Sequence, residues 1–228
     1  MVTSAARRNH ILAGLPDAIL DRLFPHLVEM PLPLRQVLHK PHQTIEYVFF
    51  PVSGISSQIA GSADDRVEVG LIGCDGMTGL SVPLGAETMP HECFVQIAGE
   101  ALRMPAAELH NAFESEPALR KQILLYTREF LLQVAQTALA NGRCTVEERL
   151  ARWLLMCQDR LDSDEILLTH EFLSLMLGVR RPGVTIAINT LEKAAIVRNS
   201  RGRITILDRE KLEEIAGDAY TPLHGETR

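Results

Sequence analysis

Two adjacent arginines, Arg180 and Arg181, stand directly before Pro182 and Gly183 in the stretch GVRRPGVTIAINTLEKAAIV (178–197). Proline suits the first turn of a helix, and Val184, Ile188, Leu191 and Ala195 then recur at helical spacing. Basic residues at a helix N-terminus oppose the partial positive charge of the free N–H groups, so the pair is unfavourable for the helix alone. It becomes useful when a large anion arrives there. Between residues 178 and 203 six basic residues, Arg180, Arg181, Lys193, Arg198, Arg201 and Arg203, face one acid, Glu192, although the whole chain of 228 residues has a net charge of −6. A local basic face on an acidic protein points to a nucleic-acid contact rather than a general polycationic coat.

The elements that must hold these arginines are legible around them. LTHEFLSLMLG supplies a preceding helix, with Thr169 as its cap and Glu171 in its first turn. Ser174 is small where two helices cross, Gly178 ends the helix, and Val179 plugs the turn. This is helix-turn-helix spacing. VRNSRGRITIL then gives two short strands around a polar turn, a basic wing, and Asp208 caps a last helix. In this arrangement Arg180 and Arg181 project from the end of the helix that enters a major groove, one toward guanine O6 and N7 and the other toward phosphate. Thr185 and Asn189 follow one and two turns on. Thr169, Arg198, Arg201 and Arg203 complete the expected contact set with double-stranded DNA.

Upstream, residues 117–140 contain no glycine, and no proline after Pro117. Leu124, Leu131, Val134 and Ala138 form a seam of coiled-coil type, flanked by Ile123, Tyr126, Phe130 and Thr137. Periodicity alone fits a core helix and a dimer helix equally well. Asn141-Gly142 reads as a break, after which VEERLARWLLMCQDRL resumes an amphipathic helix. From about 30 to 104 the texture is β-rich, with QVLH, YVFFPV, GISSQIA, RVEVGLIG, CFVQIAG and ALRMP divided by turn residues. Residues 10–28 read as helix and 106–113 as a short one.

Over nearly its whole length the chain resembles the cyclic-AMP receptor/FNR (Crp/Fnr) family of transcription regulators. The resemblance rests on the β-rich stretch, the long helix, ERLARWLL, and LTHEFLSLMLGVRRPGVTIAINTLE. It implies an α+β fold: an N-terminal cyclic-nucleotide-binding-like β-roll sensor (1–116), a long dimerisation helix (117–141), and a C-terminal winged helix-turn-helix (142–228). It also implies a homodimer on a palindromic DNA site, and contact with RNA polymerase. Arg181 matches the family's guanine-reading arginine. Pro182 stands where members commonly have glutamate, and Ile186 where a second arginine is often found, so the family's usual half-site does not carry over.

The sensor departs further. Members that bind cyclic nucleotide have a Gly-Glu pair and, about ten residues later, Arg-Ser or Arg-Ala. Here the matching positions are Gly79-Leu80 and Pro90-His91, and both charged groups are missing. Losing a buried phosphate partner removes several kcal/mol, about the margin of a micromolar ligand. Cyclic AMP is not expected, and Gly79, Leu80, Ser81, Met89 and His91 are left to line a pocket for a different small-molecule effector, or for none. The four cysteines, 74, 93, 144 and 157, show no metal-site spacing, and none lies in the N-terminal cluster of oxygen-sensing members. His39, His42 and His91 read as ordinary surface or turn histidines, so no metal or other cofactor is expected. No nucleophile elbow, phosphate loop or zinc-protease motif points to an enzyme. Cysteine usage fits a reducing, cytoplasmic setting, and no run approaches a membrane span. The competing reading is a redox or small-molecule sensor acting through protein contacts, with a vestigial helix-turn-helix.

Overall fold

The computed structural model describes residues 4–61, 66–161 and 163–222. Its elements are α1 (His10–Ala13), α2 (Asp17–Leu23), β1 (Val28–Leu32), β2 (Val37–His39), β3 (Tyr47–Ala60), β4 (Val67–Ile72), β5 (Glu92–Pro105), α3 (Ala106–Ser115), α4 (Pro117–Arg143), α5 (Val146–Gln158), β6 (Glu165–Leu167), α6 (His170–Leu177), α7 (Arg181–Lys193), β7 (Val197–Ser200), β8 (Arg203–Ile206) and α8 (Arg209–Ala216). One antiparallel sheet runs β1-β5-β3-β4 with β2 also beside β5, and a second runs β6-β8-β7. The chain divides into two compact units, residues 1–59 with 72–132 and residues 60–71 with 133–228. That division falls inside α4, and the sequence gives no sign of it.

In the first unit, the runs read separately as YVFFPV and GISSQIA fuse into β3, and CFVQIAG and ALRMP into β5. The two strands pair from Tyr47 opposite Pro105 to Ile59 opposite Glu92, with shifts of register around Ser53 and Ile55. Gly54 makes this crossing possible. It sits at φ +74, and a Cβ there would lie 2.5 Å from the Ile97 carbonyl oxygen, so only glycine fits the bulge. Leu32, Phe49, Val95 and Ala101 form a core cluster on the sheet. The helix expected over 10–28 is instead two short pieces. Gly14 is the C-cap of α1 and Pro16 the N-cap of α2, and Val28 opens β1 opposite Arg103. Asn9 caps α1 and, fully buried, donates its amide to the Pro51 and Gly76 carbonyls at 2.9 and 2.8 Å.

In the second unit, α5 starts at a capping box in which Thr145 and Glu148 satisfy each other's backbone N–H groups, as such boxes do. This moves the expected break from Asn141-Gly142 to Cys144-Thr145, since α4 runs through both residues to Arg143. Leu150, Trp153, Leu154 and Cys157 are buried along α5. The segment 60–71 packs with this unit. The Trp153 indole donates to the buried Glu68 carboxylate at 2.9 Å. The Gln133 side chain accepts from Leu71 N at 2.6 Å and donates to Leu71 O at 3.1 Å, closing the free edge of β4 at that residue. No helix among the described residues is long and apolar enough to cross a membrane.

Candidate nucleic-acid interface

The helix-turn-helix is built as its spacing predicts. The Thr169 hydroxyl accepts from Phe172 N and caps α6. Gly178 ends it at φ +58, and Val179 N returns to the Ser174 carbonyl at 3.1 Å. A side chain at that left-handed position would be strained and would press on Val67 Cγ2, 3.1 Å from the Cβ site. The half-buried Arg149 guanidinium closes the C-terminus of α6 by donating to the Leu177 carbonyl, where a cation is favoured.

On α7, Val184, Ala187, Ile188 and Leu191 are buried at 1% exposure or less. At 100° per residue, Pro182, Ile186, Asn189 and Lys193 lie within roughly 30° of the direction opposite that core. All four are exposed, as are Arg180 and Arg181 at the helix start. Arg180 occupies the N-cap with extended backbone and makes no side-chain cap, so its guanidinium is not spent on its own helix. Thr185 sits toward the edge of this face, half-buried, and its hydroxyl donates to the Arg181 carbonyl at 3.1 Å. Asn189 points outward as the spacing requires.

The wing has one strand more than the sequence suggests: β6 pairs with β8, with Glu165 opposite Thr205 and Leu167 opposite Arg203. Its polar turn carries the exposed Arg201, and Arg198 is exposed on β7. Asn199 N donates to the Glu192 carboxylate at 2.9 Å, which ties the wing to α7. Arg203 differs from its neighbours. Its Nη1 meets both Glu165 carboxylate oxygens, at 2.9 and 3.2 Å. Its charge is therefore already partnered within the protein, a pairing that local sequence could not reveal because Glu165 is 38 residues away.

The other expected sites are distributed differently. Along α4, Leu124 and Leu131 are 47% and 64% exposed, Ala138 is exposed and Val134 half-buried, while Ile123, Tyr126 and Phe130 are buried. The outward strip also includes Leu125, Leu132 and Leu139, which the seam spacing passed over. In the first unit, Gly79, Leu80 and Ser81 share one chain of turns, with Val82 N bonded to Gly79 O and Ala86 N to Ser81 O. Leu80 and Met89 are buried, and the buried Ser81 hydroxyl has no hydrogen-bond partner among the described residues. His91 is half-buried and its Nδ1 lies 3.2 Å from Gln58 Nε2, which donates to it. A neighbouring open cleft of about 470 Å³ is lined by Thr44, Ile45, Glu46, Val82, Glu87 and His110 among others, and by none of the five expected pocket residues.

His39 corrects the reading of a surface histidine. It is 5% exposed, its Nε2 lies 2.8 Å from Thr78 Oγ1, and its ring stands 5.8 Å from that of Phe49. Thr78 Oγ1 also accepts from Phe49 N at 3.2 Å, which fixes the hydroxyl against the imidazole. Burial pushes its pKa down to about 4. His42 does occupy a turn, at φ +60. No group of three or more metal-ligating side chains is found among the described residues.

Residues 148–215 match the Crp-like helix-turn-helix domain. No curated protein sequence matches the chain. Among solved structures, FixK2 from Bradyrhizobium japonicum superposes with a TM-score of 0.73 at 18% identity, covering 84% of this chain and 98% of its own. A CRP-family transcriptional regulator from Thermus thermophilus gives 0.69 at 14% identity, with 84% and 98% covered. The c-di-GMP-responsive global regulator CLP from Xanthomonas campestris gives 0.68 at 15% identity, with 84% and 99% covered. The basic, outward-facing α7 thus lies in a Crp-like helix-turn-helix domain, and the chain as a whole has the fold of the Crp/Fnr transcription regulators.

Proposed function

We propose that this protein is a sequence-specific DNA-binding transcription regulator that acts as a homodimer on a two-fold symmetric site. The observation that carries the reading is α7, sealed into its domain on one side and open on the other, with Arg180 and Arg181 exposed at its entry and Arg198 and Arg201 on the adjoining wing. Arg181 reads a guanine, and the wing and Thr169 meet the backbone. The strip of outward leucines on α4, Leu124, Leu125, Leu131, Leu132 and Leu139, supports association with a second copy. The two recognition helices then enter successive major grooves about 34 Å apart. RNA polymerase is the partner that the family resemblance implies.

The sensor does not take cyclic AMP in this reading. Leu80 is buried and apolar where the family's ribose-binding glutamate stands, and His91 is engaged with Gln58 where a phosphate-binding pair is expected. The c-di-GMP-responsive regulator CLP supports a different small-molecule effector on the same fold.

Selection of bound duplexes from a random DNA library with purified, effector-free protein tests the function. A symmetric site with half-sites one helical turn apart, whose affinity cyclic AMP leaves unchanged, is the expected result. No enrichment by a folded, dimeric protein, with or without added cell extract, refutes it and leaves the protein-contact sensor.

A further inference from the structure

We infer that Ile186 is a specificity-determining residue that reads the C5 methyl group of a pyrimidine in each half-site. The inference rests on the DNA-binding reading above and adds to it the chemistry of one base.

Ile186 is the most exposed large apolar residue of α7, at 62%, and lies on the face opposite the buried stripe. Its neighbours one turn away, before and after, offer no free side-chain donor. Pro182, one turn before, has no N–H and no side-chain donor. Thr190, one turn after, commits its hydroxyl proton to the Ile186 carbonyl at 3.1 Å. Thr185 does the same toward Arg181. The centre of the face therefore presents a ring edge and a branched alkyl group, flanked by polar groups at Arg181 and Asn189.

In a major groove each base edge offers polar atoms, and only thymine and 5-methylcytosine add a carbon group. Guanine beneath Ile186 would lose water from O6 and N7 with nothing to replace it, and adenine would do so at N6 and N7. Such losses are disfavoured. A C5 methyl instead buries against the isoleucine. Five residues separate Ile186 from Arg181, about 7.5 Å along the axis, so the methyl lies about two base steps from the guanine that Arg181 reads.

The test uses the duplex recovered by library selection. Each thymine is replaced in turn by uracil, symmetrically in both half-sites, and affinity is measured at one salt concentration. Burying one methyl is worth about fourfold, so one symmetric pair should cost about 15-fold. At that pair the protein should rank thymine and 5-methylcytosine above uracil and unmethylated cytosine, and the order of the first two identifies the source of the methyl. Ile186→Ala should bind the thymine and uracil duplexes equally while keeping the guanine preference, and Ile186→Arg should favour guanine there. The residue is on the surface, so both variants should fold. A bound site in which uracil is neutral at every thymine, or an Ile186→Ala protein that keeps the full penalty, overturns the inference and leaves the DNA-binding function standing. Failure to recover any bound duplex overturns the function itself.

Discussion

Acid should destabilise the first unit through a single imidazole. His39 is buried against Phe49 with its Nε2 hydrogen-bonded to the Thr78 hydroxyl, and its pKa falls from the ordinary 6.5 to about 4 because burial penalises the cation. The folded value lies below the unfolded one, so between these two the unfolded chain binds more protons. The stability that the neutral ring maintains is intact above pH 6.5 and is lost as pH falls toward 4. The loss is about 2 kcal/mol at pH 5 and about 3 kcal/mol at the acid limit. Cys93, opposite His39 in the β2–β5 pairing, is pushed up to about 12 by burial and stays a neutral thiol over this range. The perturbation is His39→Gln, whose amide can hydrogen-bond Thr78 as donor or acceptor but does not titrate. Urea unfolding of both proteins at pH 7.5 and 5.0, followed by a signal from the first unit, supplies the comparison. The wild type should lose about 2 kcal/mol more than the variant. Equal losses would show that His39 is not the titrating group and that its placement in the core is wrong. Thr78 precedes Gly79 and Leu80, so the same pH change should loosen the candidate effector turn.

Arg181→Ala should cost about 1–3 kcal/mol of DNA affinity and relax the preference at one base pair, read by repeating the library selection; an unchanged preferred sequence would misplace α7. On the wing, Arg201→Ala should lower the slope of log affinity against log salt by about 1, whereas Arg203→Ala should lower it less because Glu165 already pairs with that guanidinium. Leu124→Arg with Leu131→Arg should turn the proposed dimer into a monomer at micromolar concentration in sedimentation equilibrium, without loss of helical circular dichroism, since both side chains are exposed. Glu68→Ala leaves the buried Trp153 N–H without its acceptor and should cost about 1–3 kcal/mol in thermal or urea unfolding.

Local chemistry wrote the helix-turn-helix part of this protein into the sequence. A helix cap at Thr169, a left-handed glycine at 178, a proline in the first turn of α7 and a 3.6-residue stripe act over a few residues, so they can be read without knowing the fold. The same holds for the two flanks of α4, whose buried and exposed sides separate at Ile123, Tyr126 and Phe130 against Leu124 and Leu131. The family resemblance extended this to the β-roll, but the resemblance could not say which polar groups of the roll meet. Tertiary structure decided those. His39 and Thr78 meet across 39 residues, Glu68 and Trp153 across 85, and Gln133 and Leu71 across 62. Arg203 finds Glu165 only because β6 joins the wing sheet. Strand fusion likewise depended on Gly54 meeting the Ile97 carbonyl, a contact between distant segments. Sequence by itself settled what each segment prefers to be, because propensity and capping are short-range. Burial, pKa and charge pairing belong to the fold, because each depends on which distant atoms replace water around a group.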